Sequence, residues 1–193
     1  MNFNVKIKVC GLSRLEDIEI VNENKPDYIG FVFAESRRKV TPEQAFQLRE
    51  KLDPAITSVG VFVDEPIADI ISLVKNGVID MIQLHGNEDE ETIHKLKIQT
   101  GKRMIKANRI SEAADYLLFD SPNPGSGNTF DWGEIPEVSK PFFLAGGLNP
   151  ANVAEAVGKV KPFAVDVSSG VETSGIKDLA KMKAFIRACS KNF

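Results

Sequence analysis

Apolar residues recur along the chain in eight short blocks: Val5–Cys10, Tyr28–Phe33, Thr57–Val63, Ile79–Leu84, Arg103–Ala107, Tyr116–Phe119, Phe142–Ala145 and Phe163–Val167. Most carry apolar side chains at both parities, the pattern of strands covered on both faces. Helical signals fall between the blocks. Ser13-Arg14-Leu15-Glu16 and Thr41-Pro42-Glu43-Gln44 each fit a capping box, and the second places proline at the first helical position. Asn87 followed by Glu88-Asp89-Glu90 supplies a cap and an acidic first turn. Asn149-Pro150 opens a further helix. Ile67, Ile70, Ile71 and Val74 form a stripe at helical spacing, as do Leu179, Met182, Phe185, Ile186 and Cys189.

Strands alternating with helices predict a parallel α/β fold. A doubly wound sheet would place a glycine-rich turn after its first strand, and Gly11 alone does not supply it. Polar residues stand instead at the ends of many strands, which favours a closed eight-stranded parallel (β/α)8 TIM barrel, one domain spanning residues 1–193. Only eight residues separate Ala107 from Tyr116. The fifth outer helix is therefore expected to be shortened or missing.

Composition narrows the function classes. A net charge of -3 over 193 residues gives no electrostatic case for nucleic acid or an anionic membrane. No apolar run approaches the roughly 20 residues of a membrane span. The N-terminal residues lack the basic-then-apolar pattern of a signal peptide. The two cysteines, Cys10 and Cys189, form no CxxC, so neither a disulfide framework nor a zinc site is expected. A cytoplasmic location follows as the simplest expectation.

Candidate chemistry sits at the strand ends. Cys10 closes the first strand with Lys8 one step deeper on the same face, and is either a packed thiol or a reactive one. Ser36-Arg37-Arg38-Lys39 is either a solvated basic loop or a site for an anionic group, which arginine can bind bidentately. Gln83 and His85 share a face at the end of strand four. Lys106 ends strand five and is expected to line the barrel mouth. Asp120 closes an apolar strand. Gly125-Ser126-Gly127-Asn128-Thr129 lacks the lysine and spacing of a P-loop. Gly146-Gly147-Leu148-Asn149-Pro150 and Asp166-Val167-Ser168-Ser169-Gly170-Val171 follow the last two strands, where barrels often bind phosphate with backbone amides. His85 is either a satisfied structural histidine or a site residue; Gln83, His85 and Asp166 are taken as substrate-binding.

These motifs, the last of them running on through Glu172, with Lys8-Val9-Cys10-Gly11, Gly30-Phe31-Val32-Phe33, Gly60-Val61-Phe62-Val63, Gln83-Leu84-His85-Gly86 and Phe130-Asp131-Trp132, stand in one order over nearly the whole chain. That chain resembles the phosphoribosylanthranilate isomerases of tryptophan biosynthesis. The resemblance implies an eight-stranded barrel that uses no metal or organic cofactor. It implies an Amadori rearrangement of a small phosphosugar-anthranilate substrate. It puts the general base on Cys10, the general acid on Asp120 and the anthranilate carboxylate on Arg38. The phosphate falls to the backbone around Gly146, Gly147, Ser168, Ser169 and Gly170. We expect Lys8 to favour the thiolate of Cys10. Three departures from the family pattern stand out: the reduced fifth helix, a short loop after Asp120, and Asn128 where many relatives carry lysine.

Two competing readings fit less well. Histidine-pathway isomerases usually end strand one on aspartate and carry an internally repeated phosphate site. A silent phosphosugar-binding barrel would not need both Cys10 and Asp120. A monomer or a homodimer is expected.

Overall fold

The computed structural model describes residues 5–121 and 131–190. The Gly125–Thr129 loop and Asn128 therefore lie outside the described residues.

Eight parallel strands close into a barrel in sequence order, with β8 hydrogen-bonded back to β1. They are β1 (Lys6–Cys10), β2 (Tyr28–Val32), β3 (Thr57–Phe62), β4 (Met81–Leu84), β5 (Arg103–Ala107), β6 (Tyr116–Phe119), β7 (Phe142–Leu144) and β8 (Ala164–Val167). Among the described residues six α-helices cover the outside: α1 (Leu15–Asn24), α2 (Pro42–Lys51), α3 (Ile67–Lys75), α4 (Glu90–Thr100), α5 (Val153–Val160) and α6 (Leu179–Ser190).

The alternating parity of the strands sorts the core into two layers. Ile7, Val9, Ile29, Phe31, Ile82 and Leu84 face outward and bury against the helices. Val59, Met81, Ile105, Leu118, Phe143 and Ala164 fill the interior. The bottom of the barrel is an aromatic plug. Phe143 meets Tyr116, Tyr28 and Phe163 edge-on at centroid distances of 5.6, 5.5 and 5.7 Å. Access to the interior is thus left to the opposite end, where the strands finish.

The expected gap in the helical layer is present. No helix stands between β5 and β6. The connecting loop is tied down by lysines from neighbouring elements. Lys97 on α4 donates to the Ala113 carbonyl and to Asp115 Oδ1, at 3.1 and 2.6 Å. Asp115 Oδ2 accepts from the Met104 amide at 2.9 Å, and Lys140 donates to the Ala114 carbonyl at 2.9 Å. Ala114 is buried in place of a helical side chain. Between β6 and β7 the described residues hold only a 3-10 turn, Trp132–Glu134.

Several helix ends differ from expectation. The N-cap of α1 is Arg14, not Ser13, and Asp17 reaches back to the amides of Ser13 and Arg14 at 3.0 and 3.1 Å. Thr41 caps α2 as expected. Asp89, not Asn87, caps α4 through the Thr92 amide. Glu88 is withdrawn from that first turn by a buried ion pair with Lys106, at 2.8 Å. Asn149 and Pro150 form a turn, and α5 starts later with Asn152 as its N-cap. Ile70 and Leu73 are the buried residues of α3, and in α6 Met182, Phe185 and Cys189 are buried while Leu179 is exposed.

Candidate active site

The C-terminal ends of the strands surround a cavity of about 190 Å³. Cys10 comes from β1, Arg38 from the loop after β2, and Gln83 and His85 from the end of β4. Asp120 follows β6, Gly146 and Gly147 follow β7, and Asp166, Ser168 and Ser169 belong to β8 and its loop; all line this one space. Every sequence-predicted site residue therefore lines this space except Gly170, which packs against the Leu148 carbonyl beside it. A Cβ on Gly170 would lie 1.8 Å from the Leu148 carbonyl oxygen. The two glycine turns can meet only because that side chain is absent. A larger cleft of about 610 Å³ opens between α2 and α3, but none of these chemical groups reaches it.

Cys10 is partly exposed to the cavity. Its thiol has room because its neighbour on β2 is Gly30: a Cβ there would come within 2.7 Å of Sγ. Below it, Lys8 is fully buried and donates to Asp166 Oδ2 at 2.7 Å. Burial works against the Lys8 ammonium, but Asp166 and Cys10 outweigh it and raise its pKa. Burial likewise pushes the Asp166 carboxyl up against the pull of Lys8.

The expectation for Lys8 and Cys10 needs one correction: the pull toward the thiolate is present as expected but does not prevail. Lys8 does pull the thiol down, but burial is the larger effect, Asp166 adds to it, and the thiol ends above its ordinary value. Lys106 is also corrected. It alternates with Ile105 and Ala107, so it points out of the barrel. There it donates to the Gly86 carbonyl at 2.7 Å and to Glu88. Glu88 in turn accepts from the Asp64 and Gly86 amides at 2.9 and 3.0 Å, which ties the loops after β3 and β4 together.

The Asp120 carboxyl is held above the usual carboxylate range. Burial and the Asp166 carboxylate push it up to about 6, against its hydrogen bond from the Ser121 amide. His85 Nε2 lies 3.8 Å from Asp120 Oδ2. Burial, with Lys8 and Lys106, pushes His85 down to about 4, so its ring is neutral at pH 7. His85 Nδ1 pairs with the Gln83 side-chain amide at 3.2 Å.

Polar groups without protein partners converge on the cavity. Gln83 Oε1, His85 Nε2 and Asp166 Oδ1 are buried and find no partner among the described residues. The amides of Gly146, Gly147, Ser169 and Gly170 meet no acceptor among the described residues. Buried polar groups in native proteins are normally satisfied, so this set describes a ligand's outline in acceptors and donors.

The profile of a family described as N-(5'-phosphoribosyl)anthranilate (PRA) isomerase matches residues 7–188. The chain belongs to this family. An N-(5'-phosphoribosyl)anthranilate isomerase of Endomicrobium trichonymphae is 50% identical over 188 residues, covering 92% of this chain and 94% of that one. The phosphoribosylanthranilate isomerase of Thermotoga maritima is 36% identical, with a TM-score of 0.86 over 96% of this chain and 98% of that one. A further phosphoribosylanthranilate isomerase structure, 34% identical with a TM-score of 0.80, covers 96% of this chain and 98% of that one. It holds reduced 1-(o-carboxyphenylamino)-1-deoxyribulose 5-phosphate.

Sequence reasoning left some residues of this candidate site unassigned. Glu172 and Lys177 are both buried, and both act on residues of the cavity wall. Glu172 pairs with Arg38, and Lys177 donates to the Ser168 carbonyl at 3.2 Å. Glu172 closes the Asp166–Glu172 motif, but its partner Arg38 lies 134 positions away, so the motif alone gave it no role.

Proposed function

We propose that the chain, as one barrel domain, converts N-(5'-phosphoribosyl)anthranilate to 1-(2-carboxyphenylamino)-1-deoxyribulose 5-phosphate in tryptophan biosynthesis. One observation carries the reading. A carboxyl group held near pKa 6 and a thiol, from strands on different sides of the barrel, face one cavity whose rim supplies free amides and an arginine.

Asp120 gives its proton to the furanose ring oxygen, and the ring opens to an imine. At pH 7 a group of pKa about 6 is protonated in roughly a tenth of molecules, enough to supply an acid without a metal or cofactor step. Cys10 as thiolate then removes the proton from the sugar C2. The resulting enolamine tautomerises to the ketone. Arg38 binds the anthranilate carboxylate, and the amides around Gly146, Gly147, Ser169 and Gly170 bind the phosphate. Gln83, His85 and Asp166 offer their unpaired atoms to the sugar and the linking nitrogen.

Freshly made phosphoribosylanthranilate added to the protein tests this. Loss of the anthranilate-type fluorescence at a rate proportional to enzyme supports the reading. A fluorescence trace no faster than spontaneous decay rejects it.

A further inference from the structure

Glu172 does not line the cavity. It stands behind Arg38, at the start of a two-stranded hairpin, Glu172–Thr173 against Ile176–Lys177. The two-residue link has left-handed φ at both positions, 52° at Ser174 and 81° at Gly175, the turn whose twist suits a hairpin. The register sets Lys177 opposite Glu172, and Lys177 Nζ donates to Glu172 Oε1 at 2.8 Å.

The carboxylate holds more than the lysine. Arg38 Nε donates to Oε1 at 2.7 Å and Arg38 Nη2 to Oε2 at 3.0 Å. Arg37 Nη2 donates to Oε2 at 2.7 Å. Arg38 is also confined from the other side: a Cβ on Gly11 would come within 2.2 Å of its Cδ. One edge of the Arg38 guanidinium is thus engaged with Glu172. Its Nη1 meets no acceptor among the described residues, while the side chain lines the cavity. Three cations surround a single anion, so positive charge remains for a ligand.

We propose that Glu172 is the positioning residue of the carboxylate site. Acting through Arg38, it fixes the guanidinium before substrate arrives and so makes the enzyme selective for an arylamine bearing a carboxylate. The inference rests on Arg38 being the carboxylate-binding residue. A free arginine side chain loses considerable rotamer freedom on binding, and Glu172 imposes that ordering during folding instead. The substrate carboxylate is unchanged by ring opening and proton transfer. Its contact with Arg38 is therefore equal in ground and transition states, and the effect belongs in KM, not kcat.

The test measures kcat and KM for phosphoribosylanthranilate and for the phosphoribosylaniline analogue that lacks the carboxylate. The enzymes are wild type, Glu172→Gln, Arg38→Met and the double variant. Glu172→Gln is expected to raise KM for the carboxylate substrate about tenfold, with kcat within about twofold, as for loss of a charged hydrogen-bond partner. It leaves KM for the analogue unchanged and adds nothing in the Arg38→Met background. An equal KM rise for both substrates, a fall in kcat alone, or an undiminished effect without Arg38 overturns the positioning role. An Arg38→Met substitution that changes KM equally for the two substrates instead overturns the carboxylate reading of Arg38 itself, and the inference falls with it. Should Glu172→Gln fail to fold because Lys177 is left buried and unpaired, Glu172→Gln/Lys177→Met removes both charges and carries the same comparison.

Discussion

His85 Nε2 and Asp120 Oδ2 face each other across 3.8 Å, yet they do not form an ion pair at neutral pH. Burial holds the imidazole neutral down to about pH 4, while the carboxyl titrates at about 6. With Nδ1 accepting from Gln83, the proton sits on Nε2 and points toward Asp120. Such a ring can donate to a ligand or to the carboxylate without competing for the acid proton. Nitrogen NMR of labelled histidine should show His85 neutral throughout pH 5 to 8. A midpoint near the ordinary 6.5 would contradict this.

The same environments shape the pH profile of kcat/KM. Below about pH 6 both Asp120 and Cys10 carry protons, and no base is available. Above the thiol's pKa both are ionised, and no acid is available. Between these limits the pair shares one proton. The productive arrangement, acid carboxyl with thiolate, then remains a constant fraction of the population. We expect a bell with its lower limb at about 6 and its upper limb above the ordinary thiol value of 9.0. A lower limb near 3.8 would remove the raised Asp120 from the account.

Lys8 influences all three titrating groups from beneath. Its charge lowers Cys10, Asp120 and His85 alike. Lys8→Met should therefore move both limbs of the profile to higher pH and slow alkylation of Cys10 at a fixed pH. It also leaves Asp166 buried without its partner, which costs about 3–5 kcal/mol of stability by the usual effect of breaking a buried pair. Urea denaturation and the pH profile read the two consequences separately. A thiol pKa that falls in the variant would contradict the assigned sign.

The Lys106–Glu88 pair lies outside the barrel wall and lines none of the cavity. Lys106→Met should destabilise the fold by a similar amount, about 3–5 kcal/mol, because Glu88 stays buried between two loops. Replacing both, as Lys106→Met with Glu88→Gln, should recover much of that loss. Denaturation midpoints for the single and paired variants check it; equal midpoints for all would mean the pair contributes nothing.

The barrel was legible because buried parallel strands read as apolar at both parities, and because a gap of eight residues cannot hold a helix and two loops. The capping residues were less legible. Around Asn87 four successive polar side chains could each cap α4, and a tertiary partner decided: Lys106 takes Glu88 and leaves Asp89 to cap. The convergence of Cys10, Arg38, Asp120 and the two glycine turns could be read from their places at strand ends. The sign of the Cys10 shift could not, since it depends on how far burial outweighs a charge. Glu172 lies 134 positions from Arg38, and no local pattern marks such a pair.

Turnover of phosphoribosylanthranilate by Cys10→Ala and Asp120→Asn, each first shown to be folded, tests the central claim most directly. General acid and base contributions of about 10²–10⁴-fold are typical, so each variant should lose at least about 10² in kcat. Either folded variant turning over within a few-fold of wild type would contradict the assignment of base to Cys10 or acid to Asp120.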